Sequence, residues 1–407
     1  MSRQKVVLAY SGGLDTSVCI RYLQLHHNLD VISLTIDCGQ RENFKDIKNR
    51  ALELGVIKHV FEECTEEFAQ HYILPSIKSN GLYQDKYPLA TALARPLMSA
   101  KLVETAHRQG AGIVAHGCTG KGNDQIRFDA TIRALDPQIK ILSPIRDMNL
   151  TRDVELEFAA EQKIPISFEA KKFSIDENIW GRAIEGGNLE DAAFEPPQDA
   201  FRLVRFDDDK IEYLDVEFEE GVPIAVDNQR KNLIELIEYI NGKAGSSGVG
   251  VVDHVEDRAV GIKSREIYEA PAAVALIEAH RDLEKLVLTA HELRFKRIVD
   301  EQWSWLAYSG LWKEPLRLHL DKFIESTQKK VSGTVKLRMQ SGSLRVVGRK
   351  SKYSLYRNNL ATYSSESTYD QSLARGFVEL WSLESSVANA IDASMRLDYT
   401  KKGGGKK

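Results

Sequence analysis

The sequence predicts an α/β protein with a doubly wound parallel sheet at the N-terminus, followed by an α+β domain and a C-terminal helical arm. Short apolar runs alternate with amphipathic segments over the first third of the chain. Strands that alternate with helices in this way form parallel sheets covered on both faces. The 407 residues also exceed what one hydrophobic core usually holds, which favours more than one domain.

Four strands and four helices are expected in the N-terminal sheet. The expected strands are Lys5–Tyr10, Val31–Ile36, His59–Glu62 and Gly112–His116. The expected helices are Thr16–His27, Phe44–Leu54, Glu66–Leu74 (ended by Pro75) and Leu93–Gln109. Ligands of such sheets bind beyond the carboxyl ends of the strands. The loops that follow Tyr10, Ile36 and His116 are therefore expected to line one rim.

The later part of the chain shows a weaker alternation of strands and helices. Glu195-Pro196-Pro197 indicates a domain joint, because a double proline ends regular structure. Gly242–Gly250 is expected to be a flexible or tightly turning loop, and a hairpin is predicted around Ser341-Gly342-Ser343. Helices are expected over Ala272–Leu288 and Thr289–Leu306 (as two helices or one long one) and over Ser372–Met395.

The last expected helix, Ser372–Met395, is amphipathic and stands alone near the end of the chain. Its isolation favours an arm that packs on another subunit, and packing on its own domain is the alternative. Its apolar residues are Leu373, Phe377, Leu380, Trp381, Val387 and Ile391. The tail Lys401–Lys407 is expected to be disordered.

Composition and charge narrow the class of protein. The formal net charge is −4, which gives no general electrostatic attraction to nucleic acid. Four widely spaced cysteines form no CxxC pair, so metal and redox-pair sites are disfavoured. The N-terminus lacks the features of a signal peptide, and no apolar run approaches membrane-spanning length. A cytoplasmic location is expected.

A glycine-rich turn follows the first expected strand: Ser11-Gly12-Gly13-Leu14-Asp15-Thr16-Ser17. Its glycines can bring backbone N–H groups near an anion, and the following helix adds its positive end. Asp15 then requires either a bridging Mg²⁺ or a role as a helix cap. No Walker A lysine follows. The string SGGxD[ST] instead resembles the pyrophosphate loop of ATP pyrophosphatases, and a glycine turn with a capped helix is the alternative.

A second glycine-rich loop, Gly117–Phe128 (GCTGKGNDQIRF), follows strand Gly112–His116 on the same expected rim. Lys121 can neutralise a phosphate or carboxylate, and Asp124 can hold an ammonium group. Arg127 is expected on the same helix face as Asp124, where it suits a bidentate carboxylate contact. A simple helix entry is the alternative.

Five strings together resemble the argininosuccinate synthase family, in its order and approximate spacing. The GCTGKGNDQ-type string is highly specific, whereas SGGLDTS alone marks only the superfamily. The resemblance extends over nearly the whole chain. The strings are AYSGGLDTS (Ala9–Ser17), YPLATALARP (Tyr87–Pro96), HGCTGKGNDQIRFD (His116–Asp129), SIDENIWGR (Ser174–Arg182) and VEDRAVGIKSREIYEAPAA (Val255–Ala273).

This resemblance implies a ligase of arginine biosynthesis that condenses citrulline with aspartate and converts ATP to AMP and diphosphate. The implied ATP contacts are Ala9, Tyr10, Ser11, Gly12, Gly13, Leu14, Asp15, Thr16, Ser17, Ile36 and Gly117. The implied aspartate contacts are Thr119, Asn123 and Asp124. The implied citrulline contacts are Tyr87, Asn123, Arg127, Ser174, Glu256 and Tyr268.

Further expectations follow from the resemblance. The N-terminal fold is implied to be adenine nucleotide alpha-hydrolase-like, with Mg²⁺ carried by ATP and no metal site of the protein's own. The implied domains are residues 1–165 (nucleotide binding), 166–365 (synthetase) and 366–407 (oligomerisation helix and tail), in a homotetramer. Asp124 and Lys121 are candidates for a catalytic role, and no residue is assigned one. Ala92 and Ala183 stand where some family members carry serine, so one hydroxyl contact to citrulline can be missing.

Several alternatives remain open at this stage. Tyr87 and Tyr268 can be core aromatics, Glu256 can belong to a solvated charged face, and Ser174 can cap a helix. A tRNA-modifying enzyme with the same ATP chemistry would be expected to show a cysteine pair or a basic surface. A glutamine-dependent synthetase would carry an amidotransferase domain. A nucleotide-binding regulator without catalysis is the remaining alternative.

Overall fold

The N-terminal sheet is built from five strands, all parallel. A computed structural model describes residues 3–164, 173–206 and 210–403. The strands are β1 (Lys5–Ala9), β2 (Asp30–Asp37), β3 (Lys58–Glu63), β4 (Ile113–Ala115) and β5 (Lys140–Leu142). Their order is β3-β2-β1-β4-β5, so the predicted parallel sheet is confirmed.

Helices cover both faces of this sheet, and the central strand β1 therefore has buried residues on both sides. Val7 packs into one core, whereas its neighbours Val6 and Leu8 pack into another. Successive side chains of a strand point to opposite faces, so a continuous apolar run fits a strand covered on both sides. The helices are α1 (Leu14–His26), α2 (Phe44–Glu53), α3 (Thr65–Phe68), α4 (Leu74–Lys78), α5 (Ala90–Gln109), α6 (Asp124–Leu135), α7 (Pro144–Asp147) and α8 (Arg152–Glu161).

The prediction that Pro75 ends a helix is wrong. The chain passes from α3 through a π-helical turn at Ala69–Ile73 directly into α4. Pro75 lies in the first turn of α4. A proline is tolerated there because the preceding turn is π-helical, so the regular pattern of α-helical hydrogen bonds is already interrupted.

Two antiparallel sheets follow. The first contains β6 (Ser174–Asn178), β7 (Gly181–Glu185), β11 (Val251–Asp257) and β12 (Lys263–Glu269), in the order β11-β12-β7-β6. The second contains β8 (Glu212–Glu219), β9 (Val222–Val226), β10 (Gln229–Arg230), β13 (Gly333–Gln340) and β14 (Ser343–Lys350), in the order β10-β9-β8-β13-β14. The predicted hairpin is confirmed, with a two-residue turn at Ser341-Gly342 in which both residues have positive φ.

Four longer helices accompany these sheets: α9 (Leu233–Ser246), α10 (Pro271–Val287), α11 (Ala290–Tyr308) and α12 (Pro315–Gln328). The segment from Pro271 to Tyr308 forms two helices, α10 and α11, and not one long helix. Thr289 caps α11, because its side chain accepts from the Glu292 N–H while Glu292 accepts from the Thr289 N–H. Such a capping box satisfies N–H groups that would otherwise lack partners, and it fixes the start of a new helix.

The predicted loop Gly242–Gly250 is half helix, because α9 continues through Ser246. Pro196-Pro197 does lie outside helices and strands. Residues 1–353 form one compact unit and residues 354–407 a second. The predicted domain boundaries at 165 and 365 stay predictions.

The C-terminal unit contains α13 (Asn358–Ala361), α14 (Leu373–Trp381) and α15 (Leu383–Gly403). The single helix predicted over Ser372–Met395 is therefore interrupted at Ser382. Its apolar side chains are exposed, with 60% of Phe377 and 76% of Trp381 accessible. Lys401–Gly403 are helical rather than disordered, and residues 404–407 lie outside the described residues. None of the described helices combines the length and apolar character that a bilayer crossing requires.

Two glycines of α9 provide a test of this packing. A Cβ at Gly245 would lie 2.1 Å from the Leu203 carbonyl oxygen, whereas a Cβ at Gly242 would meet nothing within 4 Å. We expect Gly245→Ala to lower the free energy of unfolding by about 1–3 kcal/mol through overpacking. We expect Gly242→Ala to raise it by up to about 1 kcal/mol through helix propensity. Urea denaturation of both variants measures the difference, and equal effects would contradict the close approach of α9 to Leu203.

Candidate active site

The candidate site lies where the order of the parallel sheet reverses. Strand β1 has β2 on one side and β4 on the other, so the loops after β1 and β4 flank a crevice. Sheets of this kind bind ligands at such a switch point. The two loops touch, since a Cβ at Gly117 would lie 3.2 Å from Thr16 Cγ2 and 3.4 Å from the Asp15 carbonyl carbon. Only glycine permits this approach without a shift of the first loop.

The loop after β1 is braced by α2. Gly12 has a φ of +78°, and a Cβ there would lie 3.0 Å from Ile47 Cγ1. Arg50 donates a hydrogen bond to the Gly12 carbonyl oxygen. Helix α1 begins at Leu14 with Gly13 as its N-cap, and no side chain caps it. The start of this helix therefore presents its positive end, without a capping side chain, to the crevice where an anion can bind.

Two of the predicted nucleotide contacts point into the core. Tyr10 and Ser17 are buried, and their hydroxyl oxygens lie 3.3 Å apart. Burial raises the pKa of Tyr10. Ser11 and Thr16 form a second hydroxyl pair, also at 3.3 Å, on the exposed side of the loop. At the neighbouring strand end, the Ile36 carbonyl oxygen accepts from Gln40 Nε2 at 2.7 Å.

The loop after β4 is held by His116, which is fully buried. Its Nδ1 accepts from the Cys118 N–H at 3.3 Å, so its Nε2 carries the proton and donates to Asp129 Oδ1 at 2.9 Å. Arg146 holds the other oxygen of Asp129 at 2.9 Å. Burial would raise the pKa of Asp129, but His116 and Arg146 together lower it. The loop is thus anchored at its base, while Thr119 and Lys121 at its tip are exposed.

Asp124, at the start of α6, is held between two arginines. Arg95 Nε donates to Asp124 Oδ2 at 2.8 Å, and Arg127 Nη1 donates to Oδ1 at 2.9 Å. Burial alone would raise the pKa of this carboxyl, but the two guanidinium groups hold it below its usual value. A carboxylate stabilised in this way is a weak base. The geometry therefore disfavours Asp124 as a general base while it favours a permanent negative charge.

A buried carboxylate lies beside this loop. Glu256, on β11, is only 2% exposed. Its Oε1 accepts from the Tyr308 hydroxyl at 2.6 Å, and its Oε2 accepts from the Tyr268 hydroxyl at 2.7 Å. Asn123 joins the cluster by donating from Nδ2 to the Tyr308 hydroxyl oxygen at 2.8 Å, and its Oδ1 accepts from the Ala259 N–H at 2.9 Å. Glu256 therefore belongs to no solvated face, and that alternative is wrong.

Aromatic rings enclose the cluster. Tyr87 stacks on Tyr268 with ring centroids 4.0 Å apart, and Tyr83 stacks on Tyr308 at 3.5 Å. The Tyr87 hydroxyl oxygen accepts from the N–H groups of Thr91 and Ala92, in the first turn of α5. Burial raises the pKa of Tyr87 to about 12. Tyr87 and Tyr268 are thus core aromatics, and of their two hydroxyls that of Tyr268 contacts Glu256 while that of Tyr87 contacts the start of α5.

Arg127 connects the Asp124 pair to the tyrosines. Its Nε donates to the Tyr308 carbonyl oxygen at 2.9 Å, and its guanidinium lies 5.0 Å from the centre of the Tyr308 ring. Its Nη2 is buried and has no hydrogen-bond partner within the described part of the chain. Buried polar groups almost always have partners. The free N–H group therefore indicates a place for a ligand acceptor.

Ser174 lies farther out on the same sheet face. Tyr268, Ala183 and Asp176 are aligned across β12, β7 and β6, and Ser174 is two residues from Asp176 on β6. Residues two apart on a strand share a face. Ser174 is the first residue of strand β6, so the alternative that it caps a helix is wrong. Its side chain is exposed. Ala183, beside Tyr268, presents a methyl group where a serine would present a hydroxyl.

The turn between β11 and β12 clamps the second loop. Arg258 Nη1 donates to the Lys121 carbonyl oxygen at 3.2 Å, and its Nη2 bridges Glu185 at 2.6 Å and Glu266 at 2.5 Å. Burial and the charges of Glu185 and Glu256 raise the pKa of Glu266 to about 9. The positions of Lys121 and Asn123 are therefore tied to the antiparallel sheet.

Arg95, Tyr308, Tyr83 and the Ala259 N–H also belong to the site, although the sequence alone predicts no role for them. Arg95 lies inside the quoted string YPLATALARP, so its place near the site could have been expected. Tyr308 lies in no quoted string, and only the fold brings it to Asn123. Within residues 3–164, 173–206 and 210–403, no cluster of His, Cys, Asp or Glu side chains has the composition of a metal site.

Comparisons with known proteins agree over the two halves of the chain. A family model described as the arginosuccinate synthase N-terminal HUP domain matches residues 5–165, and one described as the arginosuccinate synthase C-terminal domain matches residues 173–388. An argininosuccinate synthase of Pyrococcus furiosus is 53% identical over 94% of both chains.

Similar values hold for relatives from two other organisms. The argininosuccinate synthase of Dictyoglomus thermophilum is 49% identical over 94% of this chain and 97% of its own. That of Pyrobaculum aerophilum is 49% identical over 95% of this chain and 99% of its own. Near-complete coverage in both directions excludes a match confined to a shared nucleotide-binding module. The chain belongs to the argininosuccinate synthase family.

Proposed function

We propose that the crevice between the two loops holds ATP and that the tyrosine-lined cluster around Glu256 holds citrulline, with aspartate between them. The reaction is that of the family: ATP-dependent condensation of L-citrulline with L-aspartate to argininosuccinate, AMP and diphosphate, a ligase reaction of arginine biosynthesis. The observation that carries the proposal is the position of Asn123. It ends the loop after β4 and hydrogen bonds directly into the Glu256 cluster.

The nucleotide would lie across the carboxyl ends of β1, β2 and β4. The backbone of the turn between Ser11 and Thr16 would receive the phosphates, with the hydroxyls of Ser11 and Thr16 beside them. Gly117 would leave room for the nucleotide where the two loops touch. Mg²⁺ would enter as part of MgATP, and its charge would offset the proximity of Asp15 to the phosphates.

Citrulline would be recognised by charge at one end and by hydrogen bonds along its length. The free Nη2 of Arg127 suits a carboxylate acceptor. Glu256, whose charge is buried, suits a donor such as an ammonium or ureido N–H group, with Tyr87 and Tyr268 as the walls. Ser174 would contact the part of the substrate that extends along the sheet face.

Aspartate would bind at the tip of the second loop. Thr119 and Asn123 offer a hydroxyl and an amide, and Asp124 offers a permanent negative charge to the substrate ammonium group. Lys121, exposed at the tip, suits a carboxylate or phosphate oxygen. The amine would then lie near Asn123, which also faces the citrulline cluster.

Two displacements would complete the reaction. The ureido oxygen of citrulline attacks the α-phosphorus, and the bond to the β-phosphate oxygen breaks, which gives a citrullyl adenylate and diphosphate. The aspartate amine then attacks the ureido carbon, and AMP leaves with the former ureido oxygen. Positioning and charge neutralisation supply most of the acceleration, and no protein nucleophile is required.

The attacking amine must lose a proton. Asp124 is a poor acceptor because Arg95 and Arg127 keep it ionised. We therefore assign the proton to a phosphate oxygen of the adenylate, which lies beside the amine and departs with AMP.

We further propose a cytoplasmic homotetramer. The exposed apolar side chains of α14 and α15 support an arm that packs on a neighbouring subunit, because patches of this kind mark interaction surfaces. The substrates are small molecules, and the near-neutral charge balance supports no nucleic-acid partner.

Diphosphate release tests the proposed function directly. With MgATP, release should require citrulline, because the ureido oxygen is the nucleophile. Argininosuccinate should form only when aspartate is also present. Enzyme-coupled detection of diphosphate, with each substrate omitted in turn, measures this dependence. Release without citrulline, or none from folded protein that binds ATP, would contradict the proposal.

Substitution of Arg127 tests the citrulline end of the site. Arg127→Lys keeps the charge but loses the planar group that contacts Asp124, Tyr308 and the substrate at once. We expect the KM for citrulline to rise at least about tenfold, since hydrogen bonds to charged groups contribute about 1.5–3 kcal/mol. The dissociation constant for ATP should change little. Arg133→Lys, exposed on the same helix, is the matched control, and equal KM values in both variants would contradict the role.

The state of Asp124 gives a prediction for pH dependence. Arg95 lowers the pKa of Asp124, so its removal in Arg95→Met should raise that pKa. The carboxylate that binds the substrate ammonium would then be lost at a higher pH. We expect the acid limb of the kcat/KM profile for aspartate to move to higher pH. Arg108→Met, half-exposed on the same helix, should leave the limb in place, and an unmoved limb in Arg95→Met would count against the account.

A further inference from the structure

We propose that Tyr308, at the C-terminal end of α11, is a positioning residue for both amino-acid substrates. It acts through Asn123, Glu256 and Arg127 and touches no reacting atom. This inference rests on the proposed function and adds to it a residue that lies outside the sequence strings typical of the family.

The hydroxyl group of Tyr308 has one possible arrangement of hydrogen bonds. Glu256 can only accept, so the Tyr308 proton is directed to Oε1, at 2.6 Å. The Tyr308 oxygen then accepts from Asn123 Nδ2, at 2.8 Å. A hydroxyl has one proton to donate and lone pairs to accept with, so both contacts are satisfied at once. The proton order runs from Asn123 through Tyr308 to Glu256.

This order fixes the orientation of the Asn123 amide. Its Nδ2 faces the Tyr308 hydroxyl, and its Oδ1 faces the Ala259 N–H at 2.9 Å. A rotation of the amide by 180° would place a donor against a donor at Ala259. Asn123 is the residue expected to contact both citrulline and aspartate. Its orientation is therefore set by α11 and by the turn after β11, before either substrate arrives.

The rest of Tyr308 holds Arg127. Its carbonyl oxygen accepts from Arg127 Nε at 2.9 Å, and its ring lies beneath the guanidinium. Two residues on, a Cβ at Gly310 would lie 2.8 Å from Arg127 Cα, and Gly310 has a φ of +82°. The end of α11 is therefore pressed against Arg127 in a way that only glycine allows.

Loss of the hydroxyl would leave two groups short of partners. The next described acceptor for Asn123 Nδ2 is Glu256 Oε1, at 3.5 Å. Glu256 would keep one tyrosine donor, from Tyr268. Both groups are buried, and buried polar groups without partners reorganise or lose stability. Substrate binding at Asn123 and Glu256 should weaken, whereas ATP, bound beyond β1, should be unaffected.

Tyr308→Phe tests this inference, because it removes one oxygen and keeps the ring stacked on Tyr83. We expect kcat/KM for citrulline and for aspartate to fall about ten- to a hundredfold, which is the scale of one hydrogen bond to a buried charge. The dissociation constant for ATP should stay within about twofold. Calorimetric ATP binding and the thermal midpoint show that the variant is folded.

Tyr72→Phe is the matched control. Tyr72 is also buried and stacked on an aromatic ring, that of Trp312 at 4.9 Å. Within the described residues its hydroxyl forms no hydrogen bond to the site. A purely structural contribution of a buried tyrosine hydroxyl would act on both variants alike. Equal kinetic constants for Tyr308→Phe and Tyr72→Phe would overturn the inference.

A double-mutant cycle separates an effect through Asn123 from a general one. If Tyr308 acts through Asn123, adding Tyr308→Phe to Asn123→Ala should cost much less than it costs in the wild-type chain. Additive losses would overturn the inference. The proposed function fails separately, when the wild-type chain itself releases no citrulline-dependent diphosphate. If the wild-type chain shows citrulline-dependent turnover and Tyr308→Phe has the same kinetic constants, only the role of Tyr308 is overturned.

Discussion

The burial of one carboxylate, that of Glu256, is the constraint on which the site depends. A charge removed from water needs hydrogen bonds that replace its hydration. Two tyrosine hydroxyls supply them, and these tyrosines come from β12 and α11. Each ring is held by a further tyrosine from the segment before α5. Glu256 therefore requires that three parts of the chain meet at one point: the first antiparallel sheet, α11 and the segment that precedes α5. The loop after β4 joins them through Asn123.

Alternating charges extend from this point toward the nucleotide crevice. Arg127 lies between the tyrosines and Asp124, and Arg95 lies beyond Asp124 with a further contact to Asp176 at 2.7 Å. On the other side, Arg258 separates Glu185 from Glu266 and holds the backbone of the second loop. Arg95, Asp124 and Arg127 each have an oppositely charged neighbour, so the site can present fixed charges to zwitterionic substrates with little reorganisation. Among the described residues, Nη2 of Arg127 is a buried guanidinium group without a hydrogen-bond partner, so it suits a ligand acceptor.

The sequence predicts the parallel sheet and the hairpin well, because strand periodicity and turn residues are local signals. It predicts helix boundaries less well where these depend on contacts between residues that are distant in the chain. The helix does not end at Pro75, because a π-helical turn precedes it. Gly245 belongs to a helix and not to a loop, and its lack of a side chain lets this helix pack closely on Leu203. Asn123, Glu256 and Tyr268 could be predicted as site residues, because they lie in segments that resemble the family. Tyr308 could not be predicted, because 185 residues separate it from Asn123 and no motif marks it.

The central claim is that the ureido oxygen of citrulline attacks the α-phosphorus of ATP, and that the aspartate amine then attacks the activated carbon from the side of Asn123. Citrulline labelled with ¹⁸O in the ureido group tests it most directly, with mass spectrometry of the products after complete turnover. If the adenylate forms, the label appears in AMP and is absent from diphosphate. Label in diphosphate or in released water, with none in AMP, would contradict an adenylated intermediate.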